Sequence, residues 1–188
     1  MEIEVAAEAK DKRLNQLVAM TVVVLSIFMG LSQVKDGNIV QAMAQAQSNA
    51  VDRWGEYQAT RTKLHIDETA RVQAQALGRL GAATAPDMAA EDNRLAAEIA
   101  KYNAEAPKLR AEAEGFQQQY DALNVHDDQF DAADALIGIA VAISAVAALA
   151  ESWPALGVAW LFGGFGAVMG VAGFLGLGLK SPLASLLS

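Results

Sequence analysis

Two short stretches carry the side chains most able to do chemistry. In KLHIDE, His65 stands three residues before Glu68, a spacing that sets an imidazole and a carboxylate on one helical face, where they could share a metal ion. Paired-metal helical bundles use the reverse order, Glu-x-x-His, and repeat it. The motif occurs once here, so a solvated helix face is the ordinary reading. The second stretch, His126-Asp-Asp-Gln-Phe-Asp131 with Asp134 beyond it, gathers acid at the entry to an apolar run. It could hold a divalent cation or act as a proton-sensitive collar at a membrane surface. The plainer expectation is that these carboxylates cap the first turn of a helix, favoured by its dipole, and pair with Lys35.

The remaining catalytic chemistry is sparse. With no cysteine, the chain has no disulfide, thiolate metal site or cysteine nucleophile, and it has only two histidines. No Ser-His-Asp set, nucleotide loop or haem motif stands out. The formal charge of -8 argues against nucleic acid, because neutralising phosphates needs clustered Lys and Arg. The expectation is a noncatalytic protein with no catalytic residue, no metal and no cofactor.

What must position these residues is apolar. The composition is 53% hydrophobic, and the excess falls in three windows, 14–34, 132–150 and 155–179, in which Asp134 is the sole Asp, Glu, Lys or Arg. At about 1.5 Å rise per residue each is long enough to cross a hydrocarbon layer roughly 30 Å thick. The opening, with Lys10, Lys12 and Arg13 before the first window, resembles a signal sequence without a small-x-small cleavage site, so an uncleaved anchor is expected. Three basic residues precede the first window, against Lys35, Arg53 and Lys180 beyond it or at the far end, which favours a cytoplasmic N-terminus and a periplasmic middle segment. Inside the windows there is no central ionisable residue, which lowers proton-relay and ion-coupled classes. Thr21 and Ser26 could line a pore, although hydroxyls that bond their own helix backbone are commoner.

The middle segment, 35–131, reads as a helical hairpin. Leu95, Ile99, Tyr102, Ala106, Leu109, Ala113, Phe116, Tyr120 and Leu123 advance by alternating steps of four and three, the seam of a coiled coil. On the first arm Ile39, Met43, Ala46, Ala50, Trp54, Tyr57 and Leu64 form a stripe that Arg61 and Glu68 interrupt, so that side should be wetter toward the tip. Gly78, Gly81 and Thr84-Ala-Pro-Asp87 mark the turn, with Thr84 as the cap and Pro86 in the first turn. Pro107 should kink the second arm. Lys35, Asp36, Gly37 and Asn38 should form a polar break after the first window, Gly37 allowing a bend and Asn38 capping the next helix.

The run from Gly163 to Gly178, GGFGAVMGVAGFLGLG, has seven glycines in sixteen residues and no charge. Ala159, Gly163, Gly166, Gly170 and Gly173 fall on one helical face, and small residues let helix backbones approach where the hydrophobic effect cannot drive association. The stripe Ala135, Gly138, Ala142 and Ala145 is the natural partner across the turn at 151–154. A phosphate-cradling loop is the sharper alternative, but such loops follow a strand in a water-accessible unit.

Residues 13–63, above all the blocks 34–43 (VKDGNIVQAM) and Trp54-x-x-Tyr57-Gln-Ala, resemble an uncharacterised bacterial membrane family, Domain of Unknown Function 4337. The resemblance implies one N-terminal span, a helical middle and C-terminal spans, and it implies no activity. The sequence therefore predicts an all-α membrane protein of three transmembrane helices with a long antiparallel, coiled-coil-like hairpin between the first and second. Its expected place is the bacterial inner membrane, in contact with the lipid bilayer, as a homo-oligomeric scaffold. The alternatives are a channel or transport subunit, or an accessory subunit bound to another membrane protein.

Overall fold

The computed structural model describes residues 12–79 and 85–177, all of whose regular structure is helical. Three helices follow one another: α1 (Lys12–Gly78), α2 (Ala85–Leu149) and α3 (Trp153–Phe174). The two long helices pack on each other as a hairpin, as Arg71 against Asp92 and Gly78 against Met88 show. Leu80, Gly81 and Thr84 of the expected turn lie outside the described residues, as do Lys10, Lys180 and positions 178–179 of the third apolar window. Pro86 and Asp87 do fall in the first turn of α2.

The polar break expected at 35–38 is not there. α1 is a single helix of 67 residues and passes through Lys35, Asp36, Gly37 and Asn38 without a bend or cap. Asp36, Gly37 and Asn38 are poor helix formers by propensity, but Asp36 and Ile39 carry the inward face of α1 across them, and tertiary packing overrides a penalty of about 1 kcal/mol for a glycine. α2 likewise begins at Ala85 and runs into the second apolar window, with Pro107 exposed inside it. The helix continues past Pro107, where a proline removes one backbone donor.

Two compact units follow from this continuity, one of residues Ala44–Tyr120 and one of residues up to Met43 together with those from Asp121 onward. In the first, Ala46, Ala50, Leu64 and Ala74 of α1 and Leu95, Ala106, Leu109 and Ala113 of α2 are buried. Thr60, Asp67 and Arg71 share the inward face of α1, so the polar character expected toward the tip is present, while Arg61 and Glu68 stand exposed beside it. Arg71 Nε donates to Asp92 Oδ1 at 2.9 Å and Gln75 Nε2 to the same oxygen at 2.8 Å; Arg53 pairs with Glu112 at 3.1 Å.

In the second unit α3 returns beside α1 and α2. The chain reverses at Glu151, a non-glycine residue with φ 48°, while Ser152 N–H closes the end of α2 on the Ala147 carbonyl at 3.0 Å. Ser152 then caps α3, its hydroxyl accepting from Ala155 N–H, with Pro154 in the first turn. Leu14 and Val18 of α1, Ala147 of α2 and Leu156 of α3 form one buried cluster. α3 ends in the same manner at Gly176, φ 67°, with Leu177 N–H on the Ala172 carbonyl at 2.9 Å.

Candidate functional site

The site is built from two features of the three-helix unit: a close-packed small-residue face and a carboxyl cluster.

Ala159, Gly163, Gly166, Gly170 and Gly173 are all buried on α3. A Cβ placed on Gly163 would lie 2.9 Å from Leu25 Cδ1, and one on Gly166 would lie 2.7 Å from Ile137 Cγ1 and 3.0 Å from the Ala133 carbonyl oxygen. On Gly170 it would meet the Phe28 ring at 2.7 Å, and on Gly173 the Phe130 ring at 2.9 Å. The face is thus pressed against both α1 and α2 of its own chain, and glycine is what the approach requires. Phe174 edges onto Phe28 and Phe130, with ring centroids 6.2 and 5.2 Å apart.

The partner surface on α2 is not the one expected. Ala135, Gly138, Ala142 and Ala145 are exposed, and Ala133, Leu136, Ile137, Ala140, Ser144 and Ala147 face inward instead. The cause is the unbroken helix: the phase of Tyr120, Leu123 and Asp127 carries on through Phe130 and Ile137, so α2 enters the apolar window already oriented. Of the two hydroxyls considered as pore-lining, Thr21 accepts from Trp160 Nε1 at 2.9 Å, a bond from α1 to α3, and Ser26 is exposed.

The seam residues of α2 are placed as follows. Leu95 and Leu109 are buried, and Ile99, Tyr102, Phe116, Tyr120 and Leu123 are half-buried. His65 Nδ1 lies 3.0 Å from Glu68 Oε2 and its Nε2 lies 3.4 Å from Arg61, on an exposed face. Among the described residues no three His, Cys, Asp or Glu converge as for a metal ion.

The acidic stretch does not cap a helix start, because α2 began forty residues earlier at Ala85. Its carboxylates face α1. Asp36 and Asp127 are joined by a side-chain hydrogen bond, and Asp134 bonds Gln33. Burial first, then the charges of Asp127 and Asp131, push the Asp36 carboxyl up to about 6, and burial also raises Asp127. Gln129, fully buried, donates through Nε2 to the Leu177 carbonyl, tying the end of α3 to α2, and its Oε1 lies 3.2 Å from His126 Nδ1. Sequence reasoning missed Ser32 and Asp36 as partners of this cluster. Counting back from Ile39 by three and four reaches Asp36 and Ser32, and that spacing is the signal that could have found them.

Neither a curated protein nor a solved structure matches this chain. Residues 14–176 match the family described as a domain of unknown function, and with most of its length covered the chain belongs to that family, DUF4337.

Proposed function

We propose that the protein is a noncatalytic, multi-pass protein of the bacterial inner membrane that self-associates and serves as a scaffold. Each of the three helices contains an 18-residue window with a mean hydropathy of 1.8 or more, long and apolar enough to span. The glycine face of α3 is consumed within the chain, so association between copies has to use another surface. The observation that carries the proposal is an asymmetry in the hairpin. The outward face of α1 shows Val51, Gly55, Ala59, Thr62, Ile66 and Thr69, all exposed and none charged. Over residues 86–123, α2 exposes no large hydrophobic residue among those described, and its outward face carries Arg94, Lys101, Lys108 and Glu112. An exposed stripe of a helix that carries Val51 and Ile66 and no charge, flanked by charged residues such as Asp52, Arg61 and Lys63, is suited to a second helix. The heptad spacing on the second arm supports a coiled-coil geometry, and the basic N-terminal flank supports a cytoplasmic N-terminus with a periplasmic hairpin. The Thr21 bond to Trp160 favours a packed first span over a pore lined by that hydroxyl.

The absence of native cysteine makes the test direct. Single-cysteine variants Ile66→Cys and Val51→Cys should crosslink copy to copy in native membranes, and Lys108→Cys on α2 should not. Failure of both α1 positions to give a homodimer band overturns the proposal.

A further inference from the structure

Polar atoms with no partner collect where α1 and α2 enter their apolar segments. Ser32 is fully buried, and its hydroxyl makes no hydrogen bond. It stands one helical turn before Asp36 on the face of α1 turned toward α2, and one oxygen each of Asp36 and Asp134 is also buried without a bond. Such groups are costly in a protein interior and call for an explanation. Opposite them, Asp36 and Asp127 meet carboxyl to carboxyl. Two ionised carboxylates have no hydrogen to share and repel one another, so this bond requires a proton on one of them.

Among the described residues, the surrounding groups do not supply a countercharge. α2 contributes His126, Asp128, Asp131 and Asp134 besides Asp127; α1 contributes Lys35, whose side chain is exposed; α3 has no titratable side chain from Trp153 to Phe174. A divalent cation would draw on three or more oxygen ligands, and among the described residues no three His, Cys, Asp or Glu are placed to hold a metal ion. We propose that Asp36 and Asp127 form a proton-binding site, an acid pair that takes one proton from water and returns it there, with Ser32 as the positioning hydroxyl that donates to Asp36 once the proton has left. The site does not depend on self-association.

The sign of its pH dependence follows from the raised Asp36 carboxyl. The folded state binds this proton more tightly than the unfolded chain does, so the contribution to stability is complete below about 4 and is lost as pH rises through about 6. The experiment is carbon NMR of aspartate carboxyls in the full chain in lipid nanodiscs, from pH 4 to 8 without divalent ions. Two carboxyls should titrate together, one of them near pH 6. The shared transition should disappear in Asp36→Asn, whose amide has the shape of the protonated acid. Ser32→Ala should move the transition to higher pH, because the ionised pair loses its donor. The thermal midpoint of the wild type should fall as pH rises through the same range, which keeps the proposal testable if the variant fails to fold. Ordinary titration of every aspartate near 4 would overturn it. So would a transition that moves with added calcium or sodium at fixed pH, which would identify a cation site, or a thermal midpoint that rises across the range.

Discussion

Gly166 of α3 and Ala133 of α2 approach so closely that a methyl group on Gly166 would sit 3.0 Å from the Ala133 carbonyl oxygen, with Ile137 Cγ1 nearer still at 2.7 Å. A carbonyl held in a helix cannot move aside as a side-chain end can. The relationship fixes how near the two backbones lie and which substitutions the unit accepts.

Replacing Gly166 by alanine should therefore destabilise the three-helix unit by about 1–3 kcal/mol, the usual range for overpacking. Gly170→Ala should cost less, because it meets the tip of the Phe28 ring, and Gly164→Ala should be neutral or stabilising by up to about 1 kcal/mol, since nothing lies within 4 Å and alanine is the better helix former. Thermal or denaturant unfolding of the three variants in one detergent checks the ranking; equal effects at Gly166 and Gly164 would refute it.

The bond from Trp160 Nε1 to Thr21 is a polar link between α1 and α3. In a double-mutant cycle of Trp160→Phe and Thr21→Val, the coupling should be about 0.6–1.7 kcal/mol, the range found for hydrogen bonds between apolar helices. Additive effects would show that the bond contributes nothing.

Glu151 holds a left-handed backbone that an L side chain resists by about 1–2 kcal/mol. Glu151→Gly should raise stability by up to about 1 kcal/mol, since glycine also gains freedom in the unfolded chain. A fall in the unfolding midpoint would contradict the reading of this turn.

Near the tip, hydrogen bonds from Arg71 and then Gln75 hold the Asp92 carboxyl below its usual range. A group lowered in the folded state stabilises above its unfolded value near 3.8 and loses that effect as pH falls through the folded value. Amide exchange around Arg71 and Asp92 should accelerate, relative to its intrinsic rate, as pH drops below about 4, and Asp92→Asn should remove the change. An unaltered pH response in that variant would contradict it.

The sequence made some of this architecture plain and hid the rest for identifiable reasons. The small-residue stripe on α3 could be read because glycine at steps of three and four has few other uses in an apolar run. The period of Leu95 through Leu123 was equally visible, because each position repeats the same requirement. The break expected at Lys35 to Asn38 shows the opposite case: the polar run with Gly37 and Asn38 suggests a boundary, and the packing of Asp36 and Ile39 on the inward face explains why the helix continues. That continuity then decided the facing surface of α2, so the smooth stripe Ala135, Gly138, Ala142 and Ala145 was a misleading partner. The acidic stretch was conspicuous as composition, yet its pairing with Asp36 depends on the register of two helices far apart in sequence.

The central claim is that copies of this chain associate through the uncharged stripe of α1 that carries Val51 and Ile66. Mass photometry of the purified full chain in mild detergent, across a dilution series, tests it most directly, with Ile66→Glu and Val51→Glu beside the wild type. The wild type should appear as a multimer that dissociates on dilution, and both variants should appear as monomers with unchanged helix content. A wild type that is monomeric at every concentration would contradict the claim.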